Sequence, residues 1–151
     1  MANTEHLREG VSPALDELAA ELLGDALDIV AEGDDVGVLL VVEDTSGVVA
    51  SYAFADDGPE QCLDAAHDKV TALASSGGDA ECGLGAPVRY AICYEAGVAD
   101  ETGAYQDALL LEFGERGYHS YSGYSFFEGR GTGDGLAWTD PAPAGELEPL
   151  L

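Results

Sequence analysis

The chain has 151 residues, with 30 Asp and Glu against 5 Lys and Arg, for a formal net charge of −25. That length is one domain's worth and can bury a core without staples, and 46% hydrophobic residues is a globular composition. Nucleic-acid binding needs cations to neutralise phosphates, and an anionic membrane surface repels acidic chains. With Arg8, Lys69, Arg89, Arg116 and Arg130 scattered along the sequence, neither partner is expected.

The acidity has a physical reading. A high-GC genome would replace Lys by Arg, yet Arg is scarce here too. A salt-rich cytoplasm fits better, because at molar salt the Debye length falls to about 3 Å and self-repulsion is screened. Cys62, Cys82 and Cys93 are odd in number and irregular in spacing, so reduced thiols in a cytoplasmic protein are expected rather than a disulfide framework. The opening Met-Ala-Asn-Thr-Glu-His lacks the cationic and apolar regions of a signal peptide. The longest apolar run, Val36 to Val42, is too short to cross a bilayer.

In chain order, residues 1–11 read as a frayed leader. Ser12-Pro13 then opens a helix, with Ser at the N-cap and Pro at the first helical position. Leu15, Leu18, Leu22, Ala26 and Val30 share one face, and Gly33 stops the helix. Val36–Glu43 is apolar on both faces and predicts a buried central strand. Asp44-Thr45-Ser46-Gly47 is turn chemistry, and Val48–Ala55 is the hairpin partner. A second helix starts at Asp57-Gly58-Pro59, buries Cys62 or Leu63, Ala66, Val70 and Leu73, and ends at Ser75-Ser76-Gly77-Gly78. Three more strands are expected at Val88–Tyr94, Tyr105–Phe113 and Tyr118–Phe127, with residues 95–104 as connector. Leu136-Ala137-Trp138 closes the domain, which spans 12–138, and residues 139–151 read as a flexible acidic tail.

The expected fold is therefore α+β, a two-layer sandwich. A five-stranded antiparallel sheet carries two helices on one face, in the order α-β-β-α-β-β-β. This order resembles the roadblock and profilin-like class of small scaffolding domains. Residues 89–117 carry a second likeness: Arg89-Tyr-Ala-Ile-Cys-Tyr, an acidic connector, then Asp107-Ala-Leu-Leu-Leu-Glu-Phe-Gly-Glu-Arg-Gly117. The stretch resembles a small bacterial family of unassigned function marked by D-A-[IL]-[LV]-x-E-x-G-E-R-G. Asp107, Glu112, Gly114, Glu115, Arg116 and Gly117 match it, over about a fifth of the chain. The resemblance implies a shared strand-turn unit and no particular activity.

Candidate chemistry concentrates at the last hairpin. On a regular strand Glu112 shares a face with Ala108 and Leu110, and a carboxylate there needs a partner such as Arg116 or Arg89. Glu112, Arg116 and His119 form a candidate acid/base or ligand-polarising cluster; the plainer reading is a solvated turn with one exposed face. Tyr118, Tyr121 and Tyr124 lie in a Tyr/Ser/Gly strand, the vocabulary of adaptable binding surfaces. They are candidates for a ligand wall or a protein interface, beside the plainer reading of an amphipathic strand.

No metal site or cofactor is expected. Cys62 and His67 are five apart on a helix and so face different ways, whereas zinc pairs want three or four. Gly129-Arg-Gly-Thr-Gly-Asp-Gly135 feeds no helix and lacks a phosphate-loop lysine. No Gly-x-Ser-x-Gly occurs. The expectation is a non-enzymatic protein-interaction or scaffolding module, pairing with itself or another protein. The alternative is a small-molecule binder or small enzyme with its site near the last hairpin. A well-formed pocket there favours the second reading, and a flat apolar patch favours the first.

Overall fold

In a computed structural model, residues 7–151 are described. Helix α1, Pro13–Glu32, is capped by Ser12, whose Oγ accepts the Leu15 N–H at 3.1 Å, and closes on Gly33 in the left-handed region. Strands β1 (Val38–Asp44) and β2 (Val49–Phe54) form a hairpin, followed by α2, Pro59–Ser76. A two-residue pair, β3 (Gly78–Asp79) and β4 (Leu84–Gly85), flanks a 3-10 turn at Ala80–Cys82. The rest is nearly all sheet: β5 (Pro87–Ala99), β6 (Tyr105–Glu115), β7 (Ser120–Glu128), β8 (Ala137–Trp138) and β9 (Ala142–Leu147).

The main sheet is antiparallel and runs β2-β1-β5-β6-β7, with β8 and β9 both pairing with the outer side of β7. It has seven strands, not the five expected. The helices do not share a face. Val41, Ala91, Cys93, Leu109 and Leu111 pack under α1, whereas Val38, Leu40, Val42, Tyr90 and Ile92 pack under α2. Successive strand residues point to opposite faces, so β1 and β5, apolar at nearly every position, need cover on both sides. The domain therefore has three layers, helix-sheet-helix, which corrects the two-layer expectation.

Both termini are also tied in. Residues 139–151, expected as a tail, supply β9, which pairs with β7 from Ser120↔Leu147 to Tyr124↔Ala142. An outer strand tolerates Pro143 because that position need donate nothing to a further neighbour, and the register slips between Ser122 and Gly123 where the proline sits. Leu150 and Leu151 pack against the α2-side core. Within the expected leader, the Arg8 N–H donates to Gly117 O and the Arg8 carbonyl accepts the His119 N–H, each at 2.9 Å. Residues 1–6 lie outside the described residues.

Two local features explain the turns. Asp44 is buried at the end of β1, and its carboxylate accepts N–H groups from Gly85, Ser46 and Val48 at 2.8–3.0 Å. These bonds, led by that of Gly85, hold its pKa below the usual carboxylate range. In β6, a Cβ on Gly114 would stand 2.3 Å from Ser120 Oγ and 2.8 Å from the Tyr90 ring, so only glycine admits this close packing.

Candidate functional site

Helix α1 lies over β5 and β6 and packs against β7 at Phe127, leaving the Tyr121–Gly123 part of that face uncovered. The segment before α1 crosses there on one side and β9 on the other, and a cleft of about 800 Å³ opens between them. Its floor is Leu111 and Phe113 of β6 with Tyr121 and Gly123 of β7. Its rims are residues 9–11 and the stretch from Pro141 to Glu146. The alternation of β6 and β7 decides this floor, because Leu111 pairs with Gly123 and Phe113 with Tyr121 on the α1 side. At position 123 a Cβ would stand 3.1 Å from the Ala142 carbonyl oxygen, so glycine lets β9 approach β7 closely at the cleft wall.

The polar end of the cleft is compact. His119 Nδ1 meets the Glu146 carboxylate across the β7–β9 pair. The Tyr121 hydroxyl accepts the Gly10 N–H at 2.9 Å and so ties the leader segment to the sheet. The Phe113 and Tyr121 rings stand 6.4 Å apart in a tilted pair. A second cavity of about 370 Å³ adjoins the first and shares Val11, Leu111, Phe113 and Pro141 with it. It runs along α1 past Ala19, Ala20, Leu23 and Leu27 to Trp138. Together they form one trough, mostly apolar, with polar groups gathered at the His119 end and Asp16 and Asp140 along its second half.

The proposed cluster of Glu112, Arg116 and His119 is not assembled. Glu112 pairs with Ser122 and faces α2, while His119 stands in the cleft on the α1 side. Arg116 is exposed and reaches the Pro87 carbonyl at 3.4 Å. The reason is the two-residue period of a strand, which sends Glu112 and Phe113 to opposite faces. Arg89, the other expected partner of Glu112, is engaged by Glu43 and Glu115 instead.

Sequence reasoning missed the true partners of Glu112. His67 of α2 approaches Glu112 Oε1 at 2.6 Å, and the Tyr94 hydroxyl donates to Oε2 at 3.1 Å. Burial, and then the Glu112 charge, push the Tyr94 pKa up. The available signal was His67 itself, one position beyond the buried Ala66 on α2. The arrangement clamps α2 to β6 and lies outside the cleft. Glu112→Ala is expected to cost about 1–3 kcal/mol by leaving the Tyr94 hydroxyl without its acceptor. Urea unfolding measures it, with Glu112→Gln expected to lose less because an amide oxygen can still accept.

Of the three candidate tyrosines, the structure brings only Tyr121 into the cleft. Tyr118 lies under the Arg8 guanidinium, 5.8 Å from the ring centre. Tyr124 is on the other face, edge-on to Phe126 at 5.2 Å. The Gly129–Gly135 loop is pinned to the end of α1, with the Arg130 guanidinium donating to Asp34 O at 2.7 Å and Glu95 Oε2 at 2.5 Å. Among the described residues, no three His, Cys, Asp or Glu side chains gather as a metal set would. Cys62 and Cys93 are buried and Cys82 is exposed, and burial pushes the Cys93 thiol up to about 12. Among the described residues, no helix is long and apolar enough to cross a membrane.

No family model, curated protein or solved structure matches the chain. The chemistry of the cleft therefore has to carry the functional reading. Its apolar floor would desolvate a bound group, and the polar side chains lining it among the described residues are His119, Glu9, Glu146, Tyr121 and Ser122.

Proposed function

We propose that the protein binds a small apolar or amphipathic molecule in the cleft beside the last hairpin. The observation that carries this reading is the cleft itself, about 800 Å³ with a floor of Leu111, Phe113 and Tyr121 and a few convergent polar groups at one end. That size, lining and placement of polar groups are those of small-molecule sites. The interaction-module reading has less support, because β7 is paired along both edges and Tyr118, Tyr121 and Tyr124 have separate surroundings.

The neutral apolar dye Nile red tests the proposal. One saturable site is expected, and Val11→Trp, which fills the junction of the two cavities, is expected to weaken binding at least tenfold. Absence of saturable binding by the folded protein, or equal affinity in a folded Val11→Trp variant, would overturn it.

A further inference from the structure

The trough has a chemical polarity that narrows its ligand. None of the five Lys and Arg side chains lines either cavity. The charged groups that do line them are Glu9 and Glu146 at the His119 end, and Asp16 and Asp140 farther along. Among the described residues, one carboxylate, that of Glu146, meets the histidine. An anionic headgroup would meet repulsion at every charged position except His119. A cationic one would meet Glu9 and Glu146, which stand exposed at the rim, so the attraction is strongest at low salt.

The shape adds length. The α1 wall from Asp16 to Leu27 spans about 16 Å at the helical rise. It presents Ala19, Ala20 and Gly24, whose small size keeps the trough open. Trp138, 51% exposed, stands at the far end and leaves apolar ring surface for a ligand to cover.

We infer that the trough takes a cationic amphiphile, with a protonated amine at Glu9 and Glu146 and an extended apolar body lying over Leu111 and Phe113 toward Trp138. The inference rests on the small-molecule reading above and adds the ligand class.

Trp138 is the only tryptophan of the chain, so its fluorescence reports occupancy of the far end directly. The experiment titrates decylamine, decanol and decanoate, each below its aggregation threshold, in the lowest salt at which the fold is intact. Decylamine is expected to bind at least tenfold tighter than decanol, decanoate at least tenfold weaker, and all with a blue shift on binding. Glu9→Gln with Glu146→Gln is expected to remove most of the amine preference while decanol binding persists. Glu17→Gln with Asp28→Asn, on the outer surface of α1, removes as much charge and is expected to leave the preference unchanged. Equal or tighter binding of decanoate would overturn the ligand class and leave the small-molecule reading standing. So would a preference lost equally in both double variants, which would trace it to overall charge. Failure of all three ligands to saturate would overturn both.

Discussion

Raising sodium chloride from 0.1 M to 2 M is expected to lift the melting temperature by about 10 °C or more, equivalent to ~3 kcal/mol or more in a domain of this size. The reason lies on the helix surfaces. Glu17, Glu21 and Asp25 follow one another at four-residue intervals on α1, as do Glu60, Asp64 and Asp68 on α2, and all six are exposed. Like charges at that spacing destabilise a helix by about 0.2–0.5 kcal/mol per pair, before longer-range repulsion is added.

The chain has almost nothing to set against them. Arg89 is held by Glu43 and Glu115, and Arg130 by Glu95. Arg8 and Lys69 lie over the rings of Tyr118 and Tyr52. Mobile cations must therefore do the screening, as the reading of the acidity as salt adaptation requires. Most of the rise is expected below about 1 M, where the Debye length has already contracted to about 3 Å. Thermal unfolding followed by circular dichroism decides it. A melting temperature that stays flat, or that climbs only above 1 M as salting-out would make it, would count against screening.

Leu40→Ala is expected to cost about 3–4 kcal/mol, and to lower the melting temperature by about 10 °C at fixed salt. Leu40 is 0% exposed at the middle of β1. Its strand neighbours are Tyr52 of β2 and Ile92 of β5, and α2 packs over it through Ala66 and Val70. With rigid sheet on two sides and a helix above, the site has little freedom to collapse, so the cavity persists and the cost is high. Val49→Ala, on the exposed edge strand, is expected to stay within about 0.5 kcal/mol. A loss below about 1 kcal/mol for Leu40→Ala, measured by urea denaturation, would mean that the α2-side core is not packed as described.

Both helices were legible because their signals are local. Ser12-Pro13 and Gly33 bound α1, and Pro59 with Gly77 bounds α2, with apolar residues at three- and four-residue spacing between them. The central strands were legible from their β-branched and aromatic runs. Even the double cover was latent in Val36–Glu43, which is apolar on both faces. Adjacent short-turn strands still suggested a one-sided sandwich, because nothing local says which face each helix takes. Strand β9 was hidden for another reason. Pro141, Pro143 and Gly145 read as a loop on propensity, and only the open edge of β7 makes that segment extended.

Candidate residues divide along the same line. His119, just before β7, and Tyr121 within it both line the cleft, because extended chain keeps positions two apart on one face. Glu112 and Arg116 were grouped with them by proximity in the chain, which the alternation of β6 overrules. The partners His67 and Tyr94 stand 45 and 18 residues from Glu112, and Glu146 comes to His119 from a strand that local pattern did not announce. By itself, then, the sequence determined the helices, the central strands and the acidity, all of which depend on local pattern or on composition. The tertiary structure alone decided the three layers, the closing strand and the side chains that face one another, because those depend on contacts between residues far apart in the chain.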